Sequence, residues 1–254
     1  MKYFYDTEFL EGTQKKWFGN TKPTIDLISI GIVSEDNREY YAISKDFNLK
    51  EAWNRYELKK EYPDDTEEGS ISKKVYWIRE NILNPIFMEL QKLEREYLEK
   101  QKNIIGYSSC INSEWSYSNF RRLVQKHGKS NKQIAKEFAE FCNCSCLFSE
   151  KGQMSCLCND EFYSSSKTSF YSYYGAYDHV ALCWLFGKMI DLPKGFPMYS
   201  IDLKQMLDEK VENYSNHFSN GNESFETKLI WIKNKDNYPK QTNEHNALNN
   251  AKFN

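Results

Sequence analysis

Tyr3-Phe4-Tyr5-Asp6-Thr7-Glu8-Phe9 is the stretch whose reading decides the fold. Aromatic residues surround two carboxylates spaced two apart, the pattern of a β-strand over residues 2–9. Period-two alternation places Asp6 and Glu8 on one face of that strand. Two acids projecting together from an aromatic strand repel each other unless a positive charge sits between them, and a divalent cation is the natural candidate. A strand end with two solvated acids is the bland alternative.

The surrounding sequence extends the strand into a sheet. Residues 15–22 read as a loop, followed by a nearly continuous apolar strand, IDLISIGIV (25–33), suited to a sheet centre, and a third strand, EYYAI (39–43). Short turns between strands predict a meander. From Leu49 to about Cys142 the pattern becomes helical, with apolar residues at three- and four-residue spacing over 75–86 and 87–102. Pro85 is expected to kink or end the first of these. Pro63–Gly69 reads as a charged loop, and Ser130 or Asn131 as the N-cap of the helix KQIAKEFAEFC. SFYSYYG (169–175) returns to strand, DHVALCWLF (178–186) to helix, and IDLKQMLDEK (201–210) to a short helix. The polar segment 213–241 reads as loop, and a last helix is expected to begin near Asn243–His245. The fold class is α/β: a mixed sheet with flanking helices and helical and cysteine-rich insertions.

Composition narrows the partners. The chain has 254 residues and reads as one domain, with 40% hydrophobic and 28% charged residues. No apolar run approaches the eighteen or more residues needed to span a membrane, and the N-terminus lacks a signal-peptide layout, so a cytoplasmic protein is expected. A net charge of −2 and a pI near 6.2 argue against a protein that coats DNA through bulk basic charge. They do not exclude an enzyme that meets nucleic acid through metal ions held by acids. Five cysteines crowd together as Cys142, Cys144, Cys146, Cys156 and Cys158. Their spacing is not the C-x-x-C of common zinc sites. A hairpin around Ser149–Gln153 would gather them on one face for zinc or a disulfide, but packed reduced thiols are the favoured outcome.

Two later residues complete the chemistry. Asp178, in YGAYDHVAL (174–182), follows a strand and opens a helix, where an acid is ordinarily placed by the helix dipole. His245, in EHNAL (244–248), precedes the C-terminal helix, where a lone histidine is ordinarily structural. The ordered set of an acid pair, a third acid after a later strand, and a histidine near the last helix resembles the DEDDh family of 3′→5′ exonucleases. The segments YFYDTEF, IDLISIGIVSEDNREYYAIS, YGAYDHVAL, DLKQ and EHNAL look like the bacterial polyadenylate-specific 3′-exoribonuclease group (RNase AS). The resemblance also touches YWIRENILNPI (76–86) and KSNKQIAKEFAEF (129–141). It does not reach 87–125, 142–168 or 213–240, which read as elaborations.

The resemblance implies an RNase H-like fold and a site binding two Mg2+ or Mn2+ ions, held by Asp6, Glu8 and Asp178, with His245 as general base. Thr7, Phe9 and His179, beside those acids, are the implied substrate contacts. RNA 3′ ends, adenylate-rich ones among them, are the implied partner, and a homodimer the implied assembly. One position departs: the family's fourth carboxylate falls at position 250, which is Asn250. An amide oxygen can touch a metal but brings no charge, so metal affinity and hydrolysis are expected to suffer. A naturally inactive relative, a substituted enzyme and a truncated natural sequence all fit this departure. A non-catalytic RNA- or nucleotide-binding module, a DNA-directed 3′→5′ exonuclease and a structural zinc protein remain the alternatives.

Overall fold

The computed structural model describes residues 1–14, 22–61, 71–105, 114–142, 146–148, 154–156, 168–213, 224–235, 238–241 and 245–254. Three strands open the chain: β1 (Lys2–Gln14), β2 (Lys22–Ser34) and β3 (Glu39–Ile43). They join β8 (Ser169–Ser172) and β9 (Ile201–Asp202) in a five-stranded sheet of order β3-β2-β1-β8-β9. β1 pairs with β8 in parallel, as does β8 with β9. Helices accompany this mixed sheet, an arrangement consistent with the RNase H-like class implied by the sequence. Residues 27–32 of β2 are buried without interruption, as a strand covered on both faces requires. The turn into β3 is closed by the Ser34 N–H on the Arg38 carbonyl (3.0 Å), with Asn37 in the left-handed region (φ 64°), which asparagine tolerates.

Contacts divide the chain into two compact units. Residues 1–7, 30–41 and 132–254 form one; residues 8–29 and 42–131 form the other. In the first, Phe170 of β8 is the hub of an aromatic core, 6.0 Å from Tyr3, 5.7 Å from Tyr5, 5.9 Å from Phe138 and 5.1 Å from Phe196 between ring centroids. The aromatic residues of YFYDTEF thus alternate as expected: Tyr3, Tyr5 and Thr7 are buried, while Phe4 and Asp6 are partly exposed. This unit also holds α4 from Lys132 onward (helix Asn131–Phe141), α5 (Ala176–Phe186), α6 (Leu203–Glu212), α7 (Phe225–Lys233) and α8 (Ala247–Phe253). α7 corrects the reading of 213–241 as loop. Ser224 accepts the Thr227 N–H and caps it, but only Ile232 of the helix is buried, so no apolar stripe marks it in the sequence.

The second unit holds α1 (Leu49–Asn54), a hairpin of β4 (Glu57–Glu61) and β5 (Ile71–Val75), α2 (Asn84–Ile105) and α3 (Tyr117–His127). The hairpin corrects the reading of a helical pattern after Leu49. ELKKE and ISKKV pair antiparallel, with Leu58 opposite Lys74 and Lys59 opposite Lys73. A π-helical turn, Arg79–Leu83, precedes α2, and the Asn84 N–H donates to the Arg79 carbonyl five residues back. Pro85, which has no N–H to give Asn81, explains why the helix widens there. Trp53, Phe87, Trp115 and Phe120 build this unit's core, with Trp115 4.6 Å from Trp53 and 4.9 Å from Phe87. Beside it, Glu94 on α2 is 3% exposed, 2.7 Å from Lys126 Nζ and 2.6 Å from His127 Nε2 on α3.

In the cysteine-rich segment two short strands pair, as the hairpin considered for it requires. β6 (Cys146–Phe148) and β7 (Met154–Cys156) are antiparallel, with Cys146 directly opposite Cys156. Cys142 is a buried free thiol, and burial pushes it well above its ordinary titration range. Cys144 and Cys158, the loops 15–21 and 63–69, and the start of the EHNAL motif lie outside the described residues. Among the described residues, no helix is long and apolar enough to cross a membrane.

Candidate functional site

The site grows from the place where a sheet ladder stops. β8 pairs with β1 only at Lys2–Phe4, whereas β1 runs on to Gln14. Beyond that pairing, the Thr7 N–H would face a vacated edge. Asp178, in the first turn of α5, fills it: its Oδ1 accepts the Thr7 N–H at 3.0 Å and the Thr7 hydroxyl at 2.6 Å. Both residues are 5% exposed. Burial pushes the Asp178 carboxyl up to about 6, with the nearby Asp202 adding to the rise and the two Thr7 hydrogen bonds opposing it.

His179, next in α5, turns to the aromatic core, where its Nδ1 pairs with the Tyr5 hydroxyl at 3.3 Å. Burial pushes its imidazole below the ordinary histidine value. Thr7 likewise spends its hydroxyl on Asp178. Both side chains are therefore engaged within the fold. Phe9 and Glu8 follow Thr7 on β1; Glu8 is 8% exposed and Phe9 partly exposed.

Asp6 meets the C-terminal helix. The Asn250 Nδ2 donates to Asp6 Oδ2 at 3.2 Å, and Gln241 Nε2 donates to Asn250 Oδ1 at 2.9 Å. α8 is seated so that this contact is possible. Its start lies against Gly31 of β2, where a Cβ would stand 2.3 Å from both the Leu248 N and Cα. Only glycine lets strand and helix backbones approach so closely. Asn246 caps the helix by accepting the Asn249 N–H (3.1 Å), and the Asn254 amide donates to the Tyr5 carbonyl (3.2 Å). His245 precedes the cap with φ 66°, a left-handed conformation that holds the chain in a sharp bend before α8.

The structure thus brings Asp6 and Asn250 into contact and fixes Asp178 to the residue after Asp6. Its oxygen-only donors are those a hard divalent cation takes, and the buried Asp178 carboxylate is one whose desolvation a cation would relieve. Asn250 contributes an amide oxygen in place of a carboxylate, and so no charge. Among the described residues, no three His, Cys, Asp and Glu side chains gather at metal-ligand spacing. At position 250 it is an amide N–H that faces Asp6. Sequence reading missed the contributions of Gly31 and Gln241. An isolated glycine in an otherwise apolar strand signals a close backbone approach; Gln241 carries no local signal at all.

No family model matches the chain. It is similar to two curated proteins of Mycobacterium tuberculosis, 3′-5′ exoribonuclease Rv2179c (strain ATCC 25618 / H37Rv) and 3′-5′ exoribonuclease MT2234.1 (strain CDC 1551 / Oshkosh). Each is 27% identical over 210 residues, covering 83% of this chain and 76% of the relative.

Proposed function

We propose that this chain is a metal-dependent 3′→5′ exoribonuclease scaffold acting at RNA 3′ ends, impaired as written by Asn250. The observation that carries the reading is Asp6 of β1 meeting position 250 of α8 while Asp178 is anchored to the adjoining Thr7. The two similar proteins named 3′-5′ exoribonuclease support the same reaction class.

Asp6, Glu8, Asp178 and the Asn250 oxygen would hold Mg2+ or Mn2+, which supply polarisation of the phosphate and stabilisation of the charge that develops on it. His245 takes the proton from the attacking water. The water oxygen forms a bond to the terminal phosphorus as the P–O3′ bond breaks. The departing 3′ oxygen, once protonated, is the new RNA end, and a nucleoside 5′-monophosphate is released. Thr7 acts through Asp178 rather than on substrate. Phe9, on the same strand, offers a ring on which a terminal base can stack without sequence demand.

A second reading, an RNA-binding module without turnover, is favoured by the amide at position 250, which brings no negative charge to a cation. Incubation of 5′-labelled RNA with the protein and Mn2+ or Mg2+, beside Asn250→Asp, separates the two. The exonuclease reading expects binding with slow shortening as written and roughly 10- to 100-fold faster shortening in the variant, the scale on which partners of a metal site act. Binding with no hydrolysis in either protein supports the module. A parallel DNA strand tests RNA selectivity, which requires contacts to the 2′-hydroxyl. Adenylate and uridylate homopolymers test base preference. Light scattering tests the homodimer, and subcellular fractionation tests the cytoplasmic assignment.

A further inference from the structure

We propose that Tyr174 is a stacking platform for a base near the 3′ end of a single-stranded RNA. This rests on the exoribonuclease reading above and deepens it. β8 ends at Ser172 and α5 begins at Ala176, so a tight turn aims the chain toward Asp178. Gly175 fits the turn because a Cβ there would collide with the Ser172 side chain. Tyr174 takes the left-handed step, at φ 56°, a region that glycine or asparagine enters at little cost and a bulky residue does not. Its backbone is held on both sides. The N–H donates to Asp202 Oδ1 at 3.2 Å, and the carbonyl accepts the Ala176 N–H at 2.9 Å. Strain of this kind persists only where the surroundings fix it, and it gathers at functional sites.

What the strain delivers is an aromatic ring in solvent: Tyr174 is 66% exposed. Tyr173 meets the ring in a T-shaped contact, 5.0 Å between centroids, and the Lys204 ammonium stands 5.8 Å from its centre. A surface tyrosine packed on its neighbour accounts for that contact. It does not account for a tyrosine held outward at a φ that glycine would take without strain. The neighbourhood names the ligand. Asp178 lies four residues on, and Asp202, which holds the Tyr174 N–H, is near enough to Asp178 to push its carboxyl up. Tyr173 also lies 6.5 Å from Phe253, at the end of the helix that carries Asn250. The ring therefore adjoins the elements where an RNA end would sit. Every base has a π face, so stacking holds each nucleotide that arrives in turn. In a chain of net charge −2, stacking supplies a grip that bulk basic charge does not.

The test measures binding of a 5′-labelled single-stranded RNA, with phosphorothioate linkages to slow hydrolysis, beside an RNA of the same length whose last three nucleotides lack bases. Four proteins are compared: the chain as written, Tyr174→Gly, Tyr174→Phe and Trp184→Ala. Trp184, 48% exposed at the far end of α5, controls for any exposed ring. Tyr174→Gly is expected to weaken binding of the intact RNA about 5- to 50-fold, the value of one base on one ring. Tyr174→Phe keeps the ring and should retain binding, and Trp184→Ala should leave it unchanged. Removing the bases should weaken binding by the parent, and that penalty should shrink in Tyr174→Gly, because the two changes remove the same contact. Glycine also relieves the left-handed strain, so the melting temperature of Tyr174→Gly should hold or rise. A fall in melting temperature, the mark of a structural ring, overturns the inference. So does an equal base-removal penalty in parent and Tyr174→Gly, or a loss in Tyr174→Phe or Trp184→Ala as large as in Tyr174→Gly. A changed mass in solution with RNA binding intact assigns the ring to a protein contact and overturns it as well. A parent that binds no RNA overturns the exoribonuclease reading itself, a result distinct from all of these.

Discussion

The Asp178 carboxylate accepts both the backbone N–H and the hydroxyl of Thr7, 171 residues away in sequence, at 3.0 and 2.6 Å. An acid buried to 5% exposure is thereby tied to the strand that carries Asp6 and Glu8. Replacing Thr7 with valine keeps the shape and the N–H but removes one of the two donors. The buried carboxylate then loses stabilisation, and the fold should weaken by about 1–3 kcal/mol. Urea unfolding of Thr7→Val beside Thr7→Ser checks this: serine retains the hydroxyl and should lose less than valine. Equal losses would remove the hydroxyl from the account.

Gly31 predicts a steric effect. Alanine there puts a methyl group 2.3 Å from the Leu248 backbone, so β2 and α8 must separate. Overpacking of this kind costs roughly 1–3 kcal/mol. Hydrogen exchange should show α8 loosened selectively, while the Glu94 cluster keeps its protection. Full protection of α8 in Gly31→Ala would contradict the close approach.

Asn250→Asp exchanges a hydrogen bond for a repulsion. Two carboxylates would then stand where Asp6 and the amide are now 3.2 Å apart. In EDTA the variant should lose roughly 1–3 kcal/mol of stability, the lost hydrogen bond adding to like-charge repulsion. Millimolar Mn2+ should restore it and raise the melting temperature of this variant more than that of the parent. A Mn2+ response no larger than the parent's would argue that no cation site exists.

Acid sensitivity should arise at Glu94. Burial raises its pKa, but hydrogen bonds from Lys126 and His127 and their positive charge outweigh that and hold the carboxyl below its ordinary value. A carboxyl depressed in the folded state contributes stability above its unfolded pKa, and that contribution is lost as pH falls through the folded one. Glu94→Gln should therefore destabilise at pH 7, by about 1 kcal/mol, because the cations left behind on α3 are partly solvated. The gap between variant and parent should close as the pH drops below the ordinary glutamate range. A gap that persists undiminished in strong acid would rule out an ionic origin.

The elements that frame the site were readable because their residues carry local signals. Alternation in YFYDTEF and the two-sided burial of 27–32 follow from strand geometry alone, and Asp178 and His245 fall at a strand–helix junction and before a helix as expected. The β4–β5 hairpin escaped because 57–60 and 72–74 are all exposed, so neither face shows the apolar alternation that betrays a strand. α7 escaped because it buries a single residue, Ile232. The bond from Thr7 to Asp178 and the alignment of Gln241 with Asn250 are products of tertiary placement. Neither spacing nor residue type announces them, and each changes what its residue is available to do.

The seam where β8 stops and β1 continues gives Asp178 a second employment, independent of any reaction. As the acceptor that closes an open sheet edge, it remains under selection for folding even in a lineage that has ceased to cut RNA. Position 250, half-buried on α8, holds Asp6 and Gln241 through side-chain hydrogen bonds but closes no sheet edge. Decay of an enzyme of this design should therefore begin at position 250 and reach position 178 last, so an acid kept at 178 is poor evidence of activity. The residue at 250 is the better diagnostic when homologous sequences are compared.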